Sequence, residues 1–502
     1  MNKELSLIEK IKSGIEGFDE ISQGGLPKNR TTLITGTSGS AKTVLACQFI
    51  YKGISSYGEN GVFVTFEESP DDIMKNMRSF GWDIEELEKN RQWAFVDASL
   101  QPGEEVIESG TFDLGALMAR IEFAIKKTGA KRVALDSLGA IFSQISDSSI
   151  LRRELFKISS SLRQLNVTTV MTAERIEEYG AIARFGVEEF VADNVVILRN
   201  VLVNETRRRT IEVLKLRGTS HFKGEYPFSV MSGEGIIIIS LATMQLKQSS
   251  STIRVSSGNS GLDEMCEGGF FRDSNILISG ATGTGKTLLV TEFMQGGFNN
   301  DERCLLFAFE ESREQLMRNA TGWGVDYVTM EKEGKLKIVC TYPEAAGLEE
   351  HLIMIRSAIN EFKPNRLAVD SLSAIERIAT EQAFREFVIG LTSIIKGKEI
   401  AGLFTATTAT LMGGASVTEK HISAICDSII LLRYVEMFGE MYRGITVLKM
   451  RGSSHQKQIR EFYIDGEGMH IGKAFRTVTG ILGGRPSIVS AEEIGRIDDM
   501  FK

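Results

Sequence analysis

Short apolar runs alternate with amphipathic stretches of helical period along most of the chain. The clearest runs are residues 32–35, 61–66, 132–136 and 168–172. Runs of this length are typical of buried strands, and the stretches between them are long enough for helices. This alternation predicts α/β domains built on mostly parallel, twisted sheets flanked by helices. Apolar and charged residues alternate at 210–217 and 445–451, which predicts later strands in antiparallel hairpins.

The chain contains this pattern twice. The blocks SGIEGFDEISQGGL, VFVTFEES, VALDSLGAI and EVLKLRGTSH recur as SGNSGLDEMCEGGF, LFAFEES, AVDSLSAI and TVLKMRGSSH. Lys42 and Lys286 are 244 positions apart, whereas Asp136 and Asp370 are 234 positions apart. The difference fits deletions in surface connections. A repeat of this length indicates duplicated domains rather than a solenoid.

The junction between the copies lies near residues 241–254, where the polar stretch 247–252 lacks hydrophobic periodicity. We therefore predict an N-terminal domain at 1–245, a C-terminal domain at 246–485 and a short tail at 486–502.

Composition narrows the class of protein. The 502 residues are 42% hydrophobic and 25% charged, which is ordinary for globular domains. The net charge of −8 gives no general attraction to nucleic acid. No apolar run approaches the ~20 residues of a membrane span, and the N-terminus is not a secretory signal. The five cysteines form no CxxC pair, so neither a disulfide framework nor a zinc site is indicated. We expect a cytoplasmic protein without a membrane partner.

Each copy places a glycine-rich loop between a strand and a helix, which is the context of a phosphate-binding loop. The loops read GTSGSAKT and GATGTGKT. The backbone amides of such a loop point at the β-phosphate, the lysine contacts the β- and γ-phosphates, and the last threonine holds Mg²⁺. The predicted ATP contacts are Gly36, Thr37, Ser38, Gly39, Ser40, Ala41, Lys42 and Thr43, with Gly280, Thr282, Gly283, Thr284, Gly285, Lys286 and Thr287 in the second copy.

The two loops differ at the position before the lysine, where Ala41 stands opposite Gly285. A β-carbon there would crowd the backbone or strain a positive φ. We expect the first site to bind ATP less tightly or to hydrolyse it less well.

Acidic residues follow the next strands of each copy. Asp136 and Asp370 end apolar runs and precede Ser-Leu. We interpret them as the aspartates that order the water molecules around Mg²⁺, although an aspartate at a strand end can also cap the following helix.

A second acidic element is the pair Glu67-Glu68, which recurs as Glu310-Glu311. One glutamate of each pair is predicted to accept a proton from the attacking nucleophile, and Glu310 is also expected near the metal. A solvated surface pair is the alternative, but its repetition within Phe-Glu-Glu-Ser favours catalysis.

Cations alternate with apolar residues on a late strand of each copy. Lys215 and Arg217 are two positions apart, as are Lys449 and Arg451. This spacing places both cations of a pair on one face of a strand. They either pair locally or reach the triphosphate of a neighbouring subunit, as in ring-forming ATPases; we favour the second. The predicted contacts are Lys215, Leu216, Arg217, Thr219, His221, Lys449, Met450 and Arg451.

The run Arg207-Arg208-Arg209 lies between Glu205 and Glu212. We interpret it as a solvated or inter-subunit turn of a hairpin rather than as a nucleic-acid surface.

Together these features resemble the KaiC family of bacterial clock ATPases over nearly the whole chain. The most specific stretches are ERIEEYG from Glu174, RFGVEEF from Arg184, KGEYPF from Lys223 and YVEMFGEM from Tyr434. The resemblance implies two tandem RecA-like P-loop NTPase domains in a two-tiered homohexamer, with ATP between neighbouring subunits.

The resemblance also implies a division of labour. The N-terminal ring would be a slow ATPase that receives a KaiB-like protein, and the C-terminal ring would be an autokinase and autophosphatase. Ser79 resembles a nucleotide contact of the first ring, and Trp323 resembles the residue that stacks on adenine. Trp82 lies in a similar Gly-Trp context, and plain core packing is the alternative for such tryptophans. The short tail after residue 487 argues against dependence on KaiA.

The family's adjacent Ser-Thr phosphoacceptor pair is incomplete in this chain. Ser423 is present, Ala424 replaces the threonine, and Thr418 matches a nearby family threonine. The resemblance therefore implies phosphorylation on Ser423, with Glu310 as the base. The matching segment of the first copy, 182–193, contains no serine or threonine.

Two other functions share the ATP machinery. One is a RecA-like ATPase stimulated by nucleic acid, which the charge of −8 does not favour. The other is a nucleotide-stabilised scaffold without phosphorylation.

Overall fold

The computed structural model divides the chain into two compact units. Unit 1 is Met1–Met244 and unit 2 is Gln245–Lys502. The described residues are 8–99, 114–139, 148–184, 186, 192–203, 206–239, 250–408, 425–437, 439–475, 478–481 and 487–488. Within these ranges, no helix has both the length and the apolar character needed to cross a membrane.

The large sheet of unit 1 has nine strands within the described ranges. In chain order they are β1 (Thr31–Gly36), β2 (Gly61–Thr65), β3 (Trp93–Asp97), β4 (Arg132–Asp136), β5 (Thr168–Glu174), β6 (Asn194–Val203), β7 (Thr206–Leu216), β8 (Glu225–Met231) and β9 (Gly235–Ile238). Their order across the sheet is β9-β8-β7-β6-β1-β5-β4-β2-β3. Strands β1 to β6 run parallel, and β7 to β9 extend the sheet antiparallel.

Helices cover both faces of this sheet. They are α1 (Phe18–Ile21), α2 (Lys42–Tyr57), α3 (Pro70–Met77), α4 (Ile84–Lys89), α5 (Leu114–Thr128) and α6 (Ser148–Gln164), with a 3₁₀ turn at Arg78–Phe80. Short strands at Lys10–Ile11 and Leu26–Pro27 pair separately. Phe63 packs into the cluster that contains the α2 side chains, whereas Val62 and Val64 pack into the cluster that contains the α5 side chains. Neighbouring strand residues point to opposite faces, which explains the continuous apolar runs.

Unit 2 repeats this arrangement. Its strands are β10 (Asn275–Gly280), β11 (Cys304–Ala308), β12 (Leu336–Cys340), β13 (Arg366–Asp370), β14 (Ala401–Thr407), β15 (Ser428–Met437), β16 (Glu440–Met450), β17 (Arg460–Asp465) and β18 (Gly468–Ala474). Their order is β18-β17-β16-β15-β10-β14-β13-β11-β12, which matches unit 1 strand for strand. Two-residue strands pair at Arg254–Val255 with Phe270–Phe271, and at Val478–Thr479 with Ser487–Ile488.

The helices of unit 2 also follow the pattern of unit 1. They are α7 (Ser260–Met265), α8 (Lys286–Asn299), α9 (Arg313–Gly322), α10 (Tyr327–Lys332), α11 (Leu348–Phe362), α12 (Leu372–Arg377) and α13 (Glu381–Gly397), with a 3₁₀ turn at Pro343–Ala345. Helix α9 begins with a capping box, in which Ser312 and Gln315 satisfy each other's backbone amides. The predicted fold class, two tandem domains with mostly parallel sheets, is confirmed.

The antiparallel hairpins are also confirmed, with two corrections. Strand β7 ends at Leu216 and β16 ends at Met450, so Arg217 and Arg451 begin the following turns instead of sharing a strand with the lysines. The interpretation of 207–209 as a turn is wrong, because these arginines belong to β7.

Candidate nucleotide-binding sites

Each glycine-rich loop joins the central strand of its sheet to the helix behind it. The predicted loop contacts run from the last residue of β1 into the first turn of α2, and from the last residue of β10 into the first turn of α8. Lys42 Nζ donates to the carbonyls of Gly36 and Thr37 at 3.0 and 2.9 Å. Lys286 Nζ makes the same bonds to Gly280 and Ala281 at 2.8 and 2.9 Å. Both ammonium groups are therefore held within the loops.

The first glycine of each loop is required by a close approach of the backbone. A β-carbon on Gly36 would lie 2.7 Å from the carbonyl oxygen of Leu198, and one on Gly280 would lie 2.8 Å from that of Leu432. These carbonyls belong to the neighbouring strands β6 and β15, which cannot withdraw without breaking their pairing.

The last loop residue before the lysine adopts the left-handed conformation in both units. Ala41 has a φ of 71° and Gly285 has a φ of 100°. This backbone region costs an L-residue about 1–2 kcal/mol, whereas glycine enters it freely. A β-carbon on Gly285 would also lie 2.9 Å from Ile464 Cδ1. Unit 1 therefore stores strain at its loop, and unit 2 does not.

We expect Ala41→Gly to strengthen nucleotide binding or turnover at the first loop, because it removes about 1 kcal/mol of backbone strain from the loop. Gly285→Ala is the reciprocal change and is expected to weaken the second loop. Nucleotide titration of each variant measures both effects. Unchanged affinity and turnover in both would show that the strain does not reach the nucleotide.

A threonine and an aspartate meet beside each loop. Thr43 Oγ1 donates to Asp136 Oδ2 at 2.7 Å, and Thr172 donates to the other carboxylate oxygen. Burial raises the pKa of Asp136, and the two threonine hydrogen bonds oppose that shift. The hydroxyls thus hold the carboxylate in a fixed orientation at the carboxyl ends of β1, β4 and β5.

The second unit has the same arrangement. Thr287 Oγ1 donates to Asp370 Oδ2 at 2.7 Å, and Thr405 donates to Oδ1. Burial raises the pKa of Asp370 as well. A hydroxyl and one carboxylate fit Mg²⁺, because this ion prefers oxygen ligands and completes its shell with phosphates and water.

The glutamate pairs lie next to these aspartates. Ser137 Oγ donates to Glu67 Oε1 at 2.9 Å, and Ser371 Oγ donates to Glu310 Oε2 at 2.9 Å. In unit 2, Arg377 also donates to Glu310 Oε1 at 2.6 Å. Each first glutamate is thus oriented by the serine that follows Asp136 or Asp370.

The second glutamate of each pair accepts a hydrogen bond from an asparagine side chain. Asn76 donates to Glu68 at 3.4 Å, and Asn319 donates to Glu311 at 3.0 Å. Burial raises the pKa of both Glu68 and Glu311, and the nearby aspartates add to the shift. A raised pKa makes a carboxylate a better proton acceptor, so each pair can share the role of base.

The cationic strands are β7, which carries Lys215, and β16, which carries Lys449. In each unit the lysine lies away from the glycine-rich loop of the same unit. Lys215 pairs in register with Val195, which pairs with Leu33 on β1. Gly36 is three residues further along β1, a distance of about 10 Å. Lys215 Nζ donates to the carbonyl of Ala192 at 2.9 Å, and its counterpart Lys449 binds Cys426 in the same way at 2.7 Å.

The adjoining predicted contacts share this position. Leu216 and Met450 end their strands, and Arg217 and Arg451 follow with guanidinium groups near Asp193 and Asp427 at 3.9 and 3.7 Å. Thr219 and His221 lie in the loop that follows β7 in unit 1. The structure therefore does not bring these residues to the loops of their own units.

The aromatic candidates differ between the units. Trp82 is 2% exposed and stacks on Tyr51 with ring centroids 5.2 Å apart, so it belongs to the core. Trp323 caps α9 and is only partly buried, which leaves a face for a ligand. Ser79 Oγ donates to the carbonyl of Asn76 at 2.8 Å, on the same segment as the residue that holds Glu68.

Comparison with known proteins gives the family. The family model "ATPase: KaiC" matches residues 11–243 and 255–475. The chain is 65% identical over 501 residues to circadian clock protein KaiC3 of Synechocystis sp., covering 100% of this chain and 99% of that protein. It is 57% identical over 493 residues to circadian clock oscillator protein KaiC of Synechococcus elongatus, covering 98% and 94%.

The chain belongs to the KaiC family. Membership supports ATPase and autokinase activity, the use of ATP with Mg²⁺, and self-association of the chain. KaiC-type chemistry agrees with the threonine, aspartate and glutamate arrangement beside each loop.

Several residues at these KaiC-type sites were not predicted from the sequence. They are Thr172, Thr405, Ser137, Ser371, Asn76, Asn319 and Arg377. The serines could have been found, because the block Asp-Ser-Leu recurs at matched positions. Arg209 was also not predicted as a residue of the site, yet its Nε donates to the carbonyl of Gly39 in the glycine-rich loop at 3.3 Å.

The predicted phosphoacceptors lie outside the described residues. These are Ser423 and Thr418, together with Ala424 in the family's second acceptor position.

Proposed function

We propose that unit 2 transfers the γ-phosphate of ATP to Ser423, while unit 1 hydrolyses ATP slowly, in a KaiC-type timing protein. The observation that carries this proposal is the repeated arrangement around Asp136 and Asp370, in which a loop threonine and a serine-held glutamate flank the metal aspartate. The unstrained Gly285 supports the kinase role of unit 2.

In unit 2 the loop amides and Lys286 would bind the phosphates, and Thr287 with Asp370 would hold Mg²⁺. Bound Mg²⁺ offsets the phosphate charge during transfer. The Ser423 oxygen would form the new bond to the γ-phosphorus as the bond to the β-γ bridging oxygen breaks and ADP leaves. The serine proton would pass to Glu310.

Glu310 can accept that proton in the observed geometry. Its oxygens accept one hydrogen bond each from Ser371 and Arg377. An ionised carboxylate has about four lone-pair sites, so a further hydroxyl can approach. The same site would also remove the phosphate, as the family resemblance implies.

In unit 1 the nucleophile would be water. The segment 182–193 contains no serine or threonine to act as a phosphoacceptor. Glu67, oriented by Ser137 at 2.9 Å, would accept the proton of that water with Glu68 beside it. The strain at Ala41 is consistent with a slow site.

The cationic strands support a site shared between subunits. Lys215 and Lys449 lie about 10 Å along the strands from the loop of their own unit, so a ring in which they reach the neighbour's triphosphate explains their position. We propose a two-tiered homohexamer with ATP between subunits. A KaiB-like partner on the N-terminal ring rests on the family resemblance alone.

Mixing two inactive variants tests the shared site. Lys449→Ala/Arg451→Ala keeps the second loop but lacks the cations, and Lys286→Ala lacks the loop but keeps the cations. We expect the mixture to regain phosphate incorporation from labelled ATP, because one variant supplies cations to the other's loop. A mixture as inactive as its components, despite confirmed exchange of subunits, would place the cations in their own subunit's site.

Phosphosite mapping tests the acceptor. After incubation with ATP, we expect phosphate on Ser423, and Ser423→Ala is expected to lose essentially all of it because Ala424 offers no hydroxyl. Mass spectrometry with and without a KaiB-like protein measures the occupancy. Phosphate on Thr418 in the variant would reassign the acceptor, and no phosphate on the unaltered chain would favour a nucleotide-stabilised scaffold.

A further inference from the structure

The two nucleotide sites differ in charge at the end of the strand beside the loop. Strand β5 ends at Glu174, which is in register with Gly36, and β14 ends at Thr407, which is in register with Gly280. The same position therefore has a carboxylate in unit 1 and a neutral hydroxyl in unit 2.

Glu174 lines the cavity of the first site. This cavity of about 270 Å³ is also lined by Lys42, Glu67, Asp136 and Ser137. Geometry at Gly139 shows how close these groups are. A β-carbon on Gly139 would lie 3.4 Å from Ser137 Oγ, 3.9 Å from Glu174 Cγ and 4.0 Å from Glu67 Oε1.

The carboxylate of Glu174 acts on the loop lysine. Burial lowers the pKa of Lys42, and four carboxylates oppose that shift, of which Glu174 has the largest effect. The pKa of Lys286 is also lowered by burial, and the opposing charges there are Asp370 and Glu310. Lys42 Nζ also donates to the carbonyl of Gly36, the residue in register with Glu174. The carboxylate therefore lines the same cavity as the lysine that reaches the β- and γ-phosphates in loops of this type.

We propose that Glu174 determines the nucleotide preference of unit 1: its carboxylate repels the γ-phosphate and lowers the preference for ATP over ADP. ADP lacks the phosphate that faces this charge, so its binding is much less affected. In unit 2, Thr407 imposes no such penalty, and ATP stays bound for transfer. This inference deepens the proposed function, since it rests on unit 1 being a hydrolytic site.

The neighbouring arginines do not cancel this charge. Arg184 Nη1 lies 3.8 Å from Glu174 Oε2, and the two side chains are 54% and 41% exposed. Exposed ion pairs at such distances are weak. Arg175 donates to the carbonyls of Gly180 and Ala181 instead.

The test compares two nucleotides at the first site of the full-length chain. Lys286→Ala/Thr287→Ala serves as the background that confines binding to unit 1. Fluorescent mant-ADP is displaced by ADP and by the non-hydrolysable ATP analogue AMP-PNP, both with Mg²⁺. In this background we expect Glu174→Gln to raise the affinity for AMP-PNP relative to ADP by about tenfold, because charges in a partly buried site are incompletely screened.

Two further variants make the result specific. Glu177→Gln removes a carboxylate charge from the exposed loop after β5. We expect this variant to change the ratio of AMP-PNP affinity to ADP affinity by less than about twofold, because solvent screens the charge of Glu177. Thr407→Glu adds the carboxylate to unit 2 and is tested in a Lys42→Ala/Thr43→Ala background, which confines binding to that unit. We expect it to lower the affinity for AMP-PNP relative to ADP at the second site.

The outcomes distinguish an error in the role of Glu174 from an error in the proposed function of unit 1. If mant-ADP binds but Glu174→Gln leaves the ratio unchanged, or weakens both nucleotides equally, the assigned role of Glu174 is wrong. If the background itself does not bind mant-ADP, unit 1 is not an independent nucleotide site, and the proposed function fails together with this inference.

Discussion

We expect Glu310→Gln to lower phosphate incorporation by about 10²-fold or more, because an amide cannot accept the proton of the attacking hydroxyl. The substitution conserves shape, and the amide oxygen can still accept the hydrogen bond that Ser371 donates at 2.9 Å. Incorporation from labelled ATP is measured on the assembled protein, and size-exclusion chromatography confirms the assembly.

Two matched variants decide whether Glu310 is the base. Glu67→Gln makes the same change in unit 1 and is expected to reduce ATP hydrolysis while phosphorylation continues. Glu311→Gln tests the buried neighbour, whose pKa is raised by burial, and is expected to have a smaller effect on incorporation. Normal labelling of Glu310→Gln, or a larger loss in Glu311→Gln, would move the role of base away from Glu310.

The second large effect concerns Asp370 and Asp136, the aspartates proposed to hold Mg²⁺. We expect Asp370→Asn to reduce phosphorylation by about 10²-fold or more, because it removes the charge that would hold Mg²⁺ beside the phosphates. An asparagine can accept the hydrogen bond from one of Thr287 and Thr405, and its amide can donate to the hydroxyl of the other, so the sheet and loop should be preserved. Asp136→Asn is expected to do the same to hydrolysis in unit 1.

The two asparagine variants form a cross-comparison. Hydrolysis and phosphate incorporation are measured on each, with thermal unfolding as the control for folding. A clean separation requires that Asp370→Asn retains most hydrolysis and Asp136→Asn retains most incorporation. Equal loss of both activities in either variant would contradict the assignment of different reactions to the two units.

Local sequence patterns were sufficient for the scaffold of each site. Continuous apolar runs predict strands covered on both faces, as Val62, Phe63 and Val64 show by packing into the two clusters on opposite sides of the sheet. A glycine-rich loop between strand and helix has one common geometry, so the position of Lys42 follows from its neighbours in sequence.

Contacts between distant segments were not predictable in this way. Arg377 reaches Glu310 across 67 positions, and Thr172 reaches Asp136 across 36. No spacing rule connects such residues, because their distance depends on which strands are neighbours in the sheet. Trp82 and Trp323 occupy similar sequence contexts, yet only the packing of Tyr51 shows that Trp82 is enclosed.

The sequence by itself determined the duplication, the fold class, the two glycine-rich loops and the acidic residues that follow the strands. These features depend on local periodicity and on the comparison of one copy with the other. Only the tertiary structure decided which side chains orient the acidic residues, where the cationic strands lie and which residue ends the strand beside each loop. It placed Glu174 beside Lys42 in unit 1 and Thr407 at the same position in unit 2, since strand order and register bring these residues to one edge of each sheet.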